Sequence, residues 1–196
     1  MGVGLGGRLR RAGLVLALGV LVATFAFTTV GVDGGSMAPT LHDGDRAWVP
    51  RHETWLVRWG AAAWQAGDVV YFRPPGAAPR TWLERVTGGP FLIKRLVAVA
   101  GQTVELRRGR LWVDGAAVDE PYLGGGPVNV ASLPPAVVPA DHVFVLGDNR
   151  SPLASRDSRA FGPVPIAQIA GRASWVVWPW WRTDTAEERR WNVRRL

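Results

Sequence analysis

The stretch Phe91-Leu92-Ile93-Lys94-Arg95-Leu96-Val97-Ala98-Val99-Ala100 limits what this chain can become more than any other. Its branched apolar side chains, closed by the turn signal at Gly101, predict a buried β-strand. Lys94 stands in the middle of it and is the only lysine of the protein; the rest of its twenty-three Lys and Arg residues are arginine. Arginine is not deprotonated in a protein, whereas a desolvated lysine can become a neutral amine that accepts a proton. Burial beside Ile93 and Leu96 would depress the Lys94 pKa. The alternative is a strand lysine whose ammonium reaches water along its own stem, and a partner for the amine decides between the two.

Ahead of the body, residues 12–32 carry no charge and follow Arg8, Arg10 and Arg11. About 20 apolar residues cross a bilayer as a helix, so 12–32 is expected to be a transmembrane anchor. The arginines then place residues 1–11 in the cytoplasm and the chain from Asp33 onward on the far side. Ala23 and Ala26 do not form a small-x-small pattern, and Phe25 and Phe27 fill the region where a leader would be cut. An uncleaved anchor is therefore expected over a removable signal peptide. With no transit peptide ahead of it, a bacterial plasma membrane is the expected location.

Charge and composition exclude several classes. Without cysteine there are neither disulfides nor thiolate metal sites, and His42, His52 and His142 lack ligand-like spacing. No metal or cofactor is expected. Of the net charge of +7, residues 1–11 carry +3 and residues 182–196 carry +2. The remainder is too small an electrostatic footprint for nucleic acid, and the basic tail 182–196 is expected to meet anionic lipid or to stay solvated.

The body, residues 33–181, reads as mostly β. Strands are expected at 47–49, 69–72, 91–100 and 142–146, with hairpins turning at Arg107-Arg108-Gly109 and Asp114-Gly115. Residues 102–146 or so are expected to form a smaller β-subdomain. Residues 73–90 and 124–139 read as loops. Residues 51–66 read either as an aromatic segment on the bilayer interface or as a loop packing its tryptophans on the core. Residues 173–181 read as a last strand ending at Pro179, its tryptophans available to the interface.

Directly after the apolar run comes Gly34-Gly35-Ser36-Met37-Ala38-Pro39-Thr40-Leu41. A serine held in a Gly/Pro turn can offer its hydroxyl to a cleft and its N–H to a developing oxyanion. The same composition also reads as a juxtamembrane linker. No nucleophile elbow is present, and a Ser-His-Asp triad stays open at this level.

Four separated segments together resemble the conserved boxes of bacterial type I signal peptidases. They are residues 36–41, Gly67-Asp68-Val69-Val70-Tyr71-Phe72, Lys94-Arg95 closing on Gly101, and the block Gly147-Asp148-Asn149…Ser155-Arg156-Asp157-Ser158-Arg159…Gly162. The resemblance implies a signal-peptidase-like β-sheet body behind one N-terminal transmembrane helix. It implies a membrane-bound serine endopeptidase that removes signal peptides from exported preproteins after a small-x-small motif. It further implies Ser36 as nucleophile, Lys94 as general base, Ser155 as a serine that orients the amine, and Asp157 with Arg159 as a supporting ion pair. Gly147 is implied to pack against the catalytic residues, and Met37 and Ile93 to line the pocket for the residue before the cut. The substrate would be held extended along a strand edge.

Two positions depart from the family pattern. Many members carry a serine where this chain has Gly34, so the oxyanion would rely on the Ser36 N–H and a backbone or water donor at Gly34. The box around Lys94 ends in Gly101-Gln102 instead of Gly-Asp. Two rival classes stay on the table: a Ser-Lys protease of another kind, either an autocleaving repressor or a specialised processing peptidase, and a non-enzymatic β-protein of the envelope. An anchor, and no DNA-binding segment before the body, weigh against a repressor.

Overall fold

A strand apolar at nearly every position must be covered on both faces, and the strand that carries Lys94 is covered in this way. In the computed structural model, which describes residues 5–76, 91–124, 132–185 and 188–196, this strand is β4, Leu92–Val99, and its six interior residues are all buried. It lies third in a five-stranded antiparallel sheet of order β10-β9-β4-β3-β11. Its neighbours are β3 (Val69–Phe72) and β9 (His142–Leu146), and β10 (Val164–Pro165) and β11 (Ile169–Arg172) lie at the edges. Val70 sits opposite Lys94, and Leu146 opposite Arg95.

Three apolar clusters cover this sheet. Ile93 joins Met37, Leu41, Val49, Val69 and Val176 in the first. Leu96 joins Val70, Phe72, Val143, Val145 and Trp64 in the second. Past the irregularity between Leu96 and Ala98, Val97 and Ala98 join Val104, Leu106, Leu111 and Phe144 in the third. Each fully buried Val, Leu or Ile is worth roughly 1.5–3 kcal/mol of transfer free energy, which makes β4 the mechanical centre of the molecule.

The first cluster is closed by a second sheet of order β1-β2-β12-β15. Its strands are β1 (Phe27–Gly31), β2 (Arg46–Pro50), β12 (Trp175–Trp178) and β15 (Arg194–Arg195). The third cluster is closed by a sheet of order β7-β6-β5-β8, made of β5 (Thr103–Arg107), β6 (Arg110–Val113), β7 (Ala116–Ala117) and β8 (Leu133–Val137). Both of its hairpins turn within the expected stretches, although Arg107 still belongs to β5. Arg108-Gly109 and Asp114-Gly115 have positive φ at both positions, as two-residue turns that follow the strand twist require.

Several expectations are corrected. The apolar run 12–32 is not one helix: α1 is Leu5–Ala26, and Phe27–Gly31 is already β1, paired with β2. Thr28, Thr29 and Val30 are β-branched and prefer the strand. Among the described residues no helix is long and apolar enough to cross a membrane, so the expected anchor rests on the sequence alone. His142–Leu146, assigned from sequence to the smaller subdomain, belongs to the central sheet. The loop expected over 124–139 contains β8, whose Pro134 and Pro135 hide the strand pattern; β8 is an edge strand, where proline is tolerated. Within 51–66, residues Arg51–Arg58 form α2; Trp64 is buried while Trp55 and Trp59 are exposed. The C-terminal stretch is no solvated tail. The strands β13 (Trp181–Thr185) and β14 (Glu188–Trp191) pair with each other, and β15 completes the sheet beside β12. Most of the loop expected over 73–90 lies outside the described residues.

Candidate active site

The central sheet delivers its chemistry at one end of β4 and β9. Because the two strands are antiparallel with Leu146 opposite Arg95, the chain leaving β9 as Gly147-Asp148-Asn149 emerges beside Lys94 and Arg95. The loop that carries Ser36 arrives from the other side. It is a closed excursion from Val32 to Asp45: Val32 N donates to Asp45 O at 2.8 Å, and Gly44 N to Val32 O at 3.0 Å. Inside it, Ala38 N donates to Gly35 O at 3.2 Å and Leu41 N to Met37 O at 2.8 Å. These bonds wind Ser36–Leu41 into a tight turn.

Lys94 Nζ lies 2.6 Å from Ser36 Oγ and donates to the Ile93 carbonyl at 2.8 Å. The lysine is 3% exposed, so the snorkelling alternative is wrong. Burial lowers its pKa to about 8; Asp157 and Asp148 oppose that shift, and Arg159 assists it. A neutral amine that donates one N–H to Ile93 O can turn its lone pair toward the Ser36 hydroxyl. This is the geometry a general base needs.

Asp157, fully buried, gathers the other block residues. It accepts from Gly147 N at 2.9 Å, Ser155 Oγ at 2.8 Å, and Arg159 Nε and Nη2 at 2.8 and 2.7 Å. Burial opposes its ionisation, but Arg159, Gly147 and Ser155 together hold its pKa below the usual carboxylate range. It also caps the one-turn helix Ser158–Phe161 through Arg159 N. The Ser155 hydroxyl is thus bonded to Asp157, and the amine's bonds run to Ser36 and Ile93, so orientation of Lys94 falls to the Ile93 carbonyl. At Gly147 a methyl group would stand 2.2 Å from Ser155 Oγ and 2.6 Å from Ser36 O. Only glycine lets these chains meet.

Gly34 behaves differently from the expectation. Its φ of +82° suits glycine, but its N–H donates to Asp43 Oδ1 at 2.7 Å. That N–H is engaged, so it is not a free donor for an oxyanion. Met37 and Ile93 both belong to the first core cluster and also line a cavity of about 150 Å³ that has Ser36 and Lys94 in its wall.

Five further residues take part that the sequence does not single out. Asn149 takes two successive carbonyls of the Ser36 turn: its N–H donates to Ser36 O at 3.1 Å and its Nδ2 to Gly35 O at 3.0 Å. Arg95 forms a buried two-pronged pair with Asp148 at 2.9 and 2.7 Å, which in turn accepts from Thr40 Oγ1 at 2.5 Å. The guanidinium of Arg95 also lies 4.0 Å from the centre of the Tyr122 ring, contributed by the segment after β7. All except Tyr122 fall within the four boxes, and position inside a box was the one signal available.

A family profile described as signal peptidase, peptidase S26, matches residues 7–178. The chain is 35% identical over 169 residues to the probable signal peptidase I-1 of Synechocystis, covering 85% of this chain and 79% of that one. It is 33% identical over 175 residues to signal peptidase IB of Staphylococcus aureus strain COL, covering 81% of this chain and 82% of that one. A crystal structure of a signal peptidase I from Enterococcus faecalis V583 aligns with a TM-score of 0.44 and 29% identity, over 57% of this chain and 97% of that one. The chain belongs to the signal peptidase family, peptidase S26, and is a serine peptidase.

Proposed function

We propose that this protein removes signal peptides from exported preproteins with a serine–lysine dyad in which Ser36 is the nucleophile and Lys94 the base. The observation that carries the reading is the buried amine of Lys94 at 2.6 Å from Ser36 Oγ, its pKa lowered to about 8. In acylation the Ser36 proton passes to Lys94 Nζ as Oγ bonds to the scissile carbonyl carbon. The resulting ammonium returns the proton to the leaving amine as the C–N bond breaks. In deacylation Lys94 takes a proton from water, hydroxide adds to the ester, and Ser36 Oγ leaves with that proton. The Ser36 N–H faces the developing oxyanion in this reading.

Met37 and Ile93 support a pocket for the side chain before the cut, since both line the cavity whose wall also holds Ser36 and Lys94. The strand β1 is an edge of its sheet and runs into Gly31 and Val32 of the pocket wall. An extended preprotein segment can add alongside it.

We further propose that the uncharged sequence up to Ala26 holds the enzyme at a membrane, N-terminus cytoplasmic and body outside, with Phe27 onward part of the body. This rests on the sequence and on the basic residues before it. Carbonate-washed membranes should retain the full chain and lose a chain beginning at residue 27. Retention of both would reject the anchor.

The test of the dyad is cleavage of a preprotein in detergent by wild type, Ser36→Ala and Lys94→Arg, with products mapped by mass. A single wild-type cut after a small-x-small site, and loss in both variants, is the expected result. Near-normal activity of Lys94→Arg would put the base elsewhere.

A further inference from the structure

The nucleophile loop has no strand partner between Val32 and Asp45, so the position of Ser36 against Lys94 depends on what fastens the loop from outside. Two of its fasteners meet on one residue. The Thr40 hydroxyl donates to Asp148, which Arg95 holds beside Lys94. The Thr40 carbonyl accepts from Arg194 Nη2 at 2.6 Å. Thr40 is therefore stretched between the Lys94 strand on one side and β15 on the other.

β15 is well seated for such a task. Arg194 is opposite Val176 in β12, and Leu196 N donates to Ser174 O at 3.0 Å. Leu196 packs against the cluster that contains Met37 and Ile93. Asn192, two residues before Arg194, is 3% exposed and donates through Nδ2 to Asp45 Oδ1 at 3.2 Å and to Pro179 O at 2.9 Å. Arg194 Nη1 in turn bonds the Asn192 carbonyl and its side-chain oxygen, and its Nη2 stands 3.8 Å from the buried Asp45 carboxylate. One end of the loop excursion, at Asp45, is thus met by Asn192 and Arg194, and its middle, at Thr40, by Arg194.

We propose that Arg194 is a positioning residue for the reaction, holding the nucleophile loop at the distance from Lys94 that proton transfer requires. The proposal rests on the reading of Ser36 and Lys94 as the dyad. Thr40 lies outside the cavity that Met37 and Ile93 line. Loss of the grip therefore disturbs the Ser36–Lys94 geometry and leaves substrate contacts in place. A shift of the order of an ångström at a reacting pair slows the chemistry without weakening ground-state binding.

The experiment compares full-length wild type, Arg194→Ala, Arg194→Lys, Arg195→Ala and Ser36→Ala on one preprotein in detergent. It reads kcat, KM and the thermal midpoint, with and without added guanidinium. Arg194→Ala should lower kcat about tenfold with KM unchanged to within about twofold, since only a step after binding is touched. Guanidinium, which can occupy the vacated place, should restore part of the loss, while sodium chloride at the same concentration should not. Arg194→Lys should lie between, and Arg195→Ala should match wild type. If Arg194→Ala does not fold, Arg194→Lys carries the kcat comparison. An unchanged kcat, a loss confined to KM, or a loss that follows the thermal midpoint and ignores guanidinium overturns the proposal. Activity retained by Ser36→Ala would instead overturn the dyad, so the two failures are separable.

Discussion

At the scale of single residues, Lys94 is a liability that the fold retains. Its native pKa is about 8, against about 10.4 for the unfolded chain. Between those values the unfolded chain holds more protons, so this group makes stability rise with pH across the window and costs most below it. The full difference is about 3 kcal/mol. Lys94→Met should therefore be inactive yet more resistant to urea than wild type at pH 7, with the advantage shrinking toward pH 10. An advantage that grows with pH would contradict the assignment. Asp157 raises the Lys94 pKa and Arg159 lowers it. Asp157→Asn should move the acid limb of kcat/KM to lower pH, and should cost several kcal/mol by leaving Arg159 unpaired near the core. A pH–rate series with a parallel urea titration reads both. Gly147→Ala forces a methyl into Ser155 and the Ser36 carbonyl. It should lower stability by about 1–3 kcal/mol and remove most activity; wild-type behaviour in denaturation and cleavage would mean the approach is looser than described.

Among the elements, what could be read from sequence followed from local pattern. β4 was legible because eight consecutive residues, Leu92–Val99, have one physical preference, and the two-residue hairpins because Arg108-Gly109 and Asp114-Gly115 name their own turn. Ser36 and Lys94 were legible as candidates, one by its turn and one by its uniqueness. Their meeting was not, since 58 positions separate them and only the register of β4 with β9 and the closure at Val32 and Asp45 bring them together. β8 was missed because two prolines break its alternation, and the end of α1 because apolarity does not distinguish helix from strand, whereas β-branching at Thr28, Thr29 and Val30 does. The link from Asn149 to Ser36 is a backbone-carbonyl contact, which no side-chain pattern encodes. Asn149→Ala keeps the N–H bond to Ser36 O and loses the one to Gly35 O. It should lower kcat by about threefold to tenfold, the worth of one partly exposed hydrogen bond. Steady-state cleavage kinetics check it, and an unaltered kcat would show that the backbone bond suffices.

On the scale of the whole molecule, two subsidiary sheets cover a central one, and the site sits where all three contribute. The β1-β2-β12-β15 sheet supplies Gly31 of the pocket wall and the Arg194 grip, the central sheet supplies Lys94 and leads into Gly147, and the segment after β7 sends Tyr122 over Arg95 and Glu120 to Arg150. The dependence of all this on one amine gives the most direct test. Because Lys94 is the only lysine, protein labelled with carbon-13 at the lysine ε position yields one ε resonance, whose titration is the titration of the base. Its midpoint should lie near the value of about 8 set by burial, coincident with the acid limb of kcat/KM for preprotein cleavage. A midpoint above 10, with cleavage undiminished at neutral pH, would mean that Lys94 is charged throughout and that Ser36 gives its proton to another group.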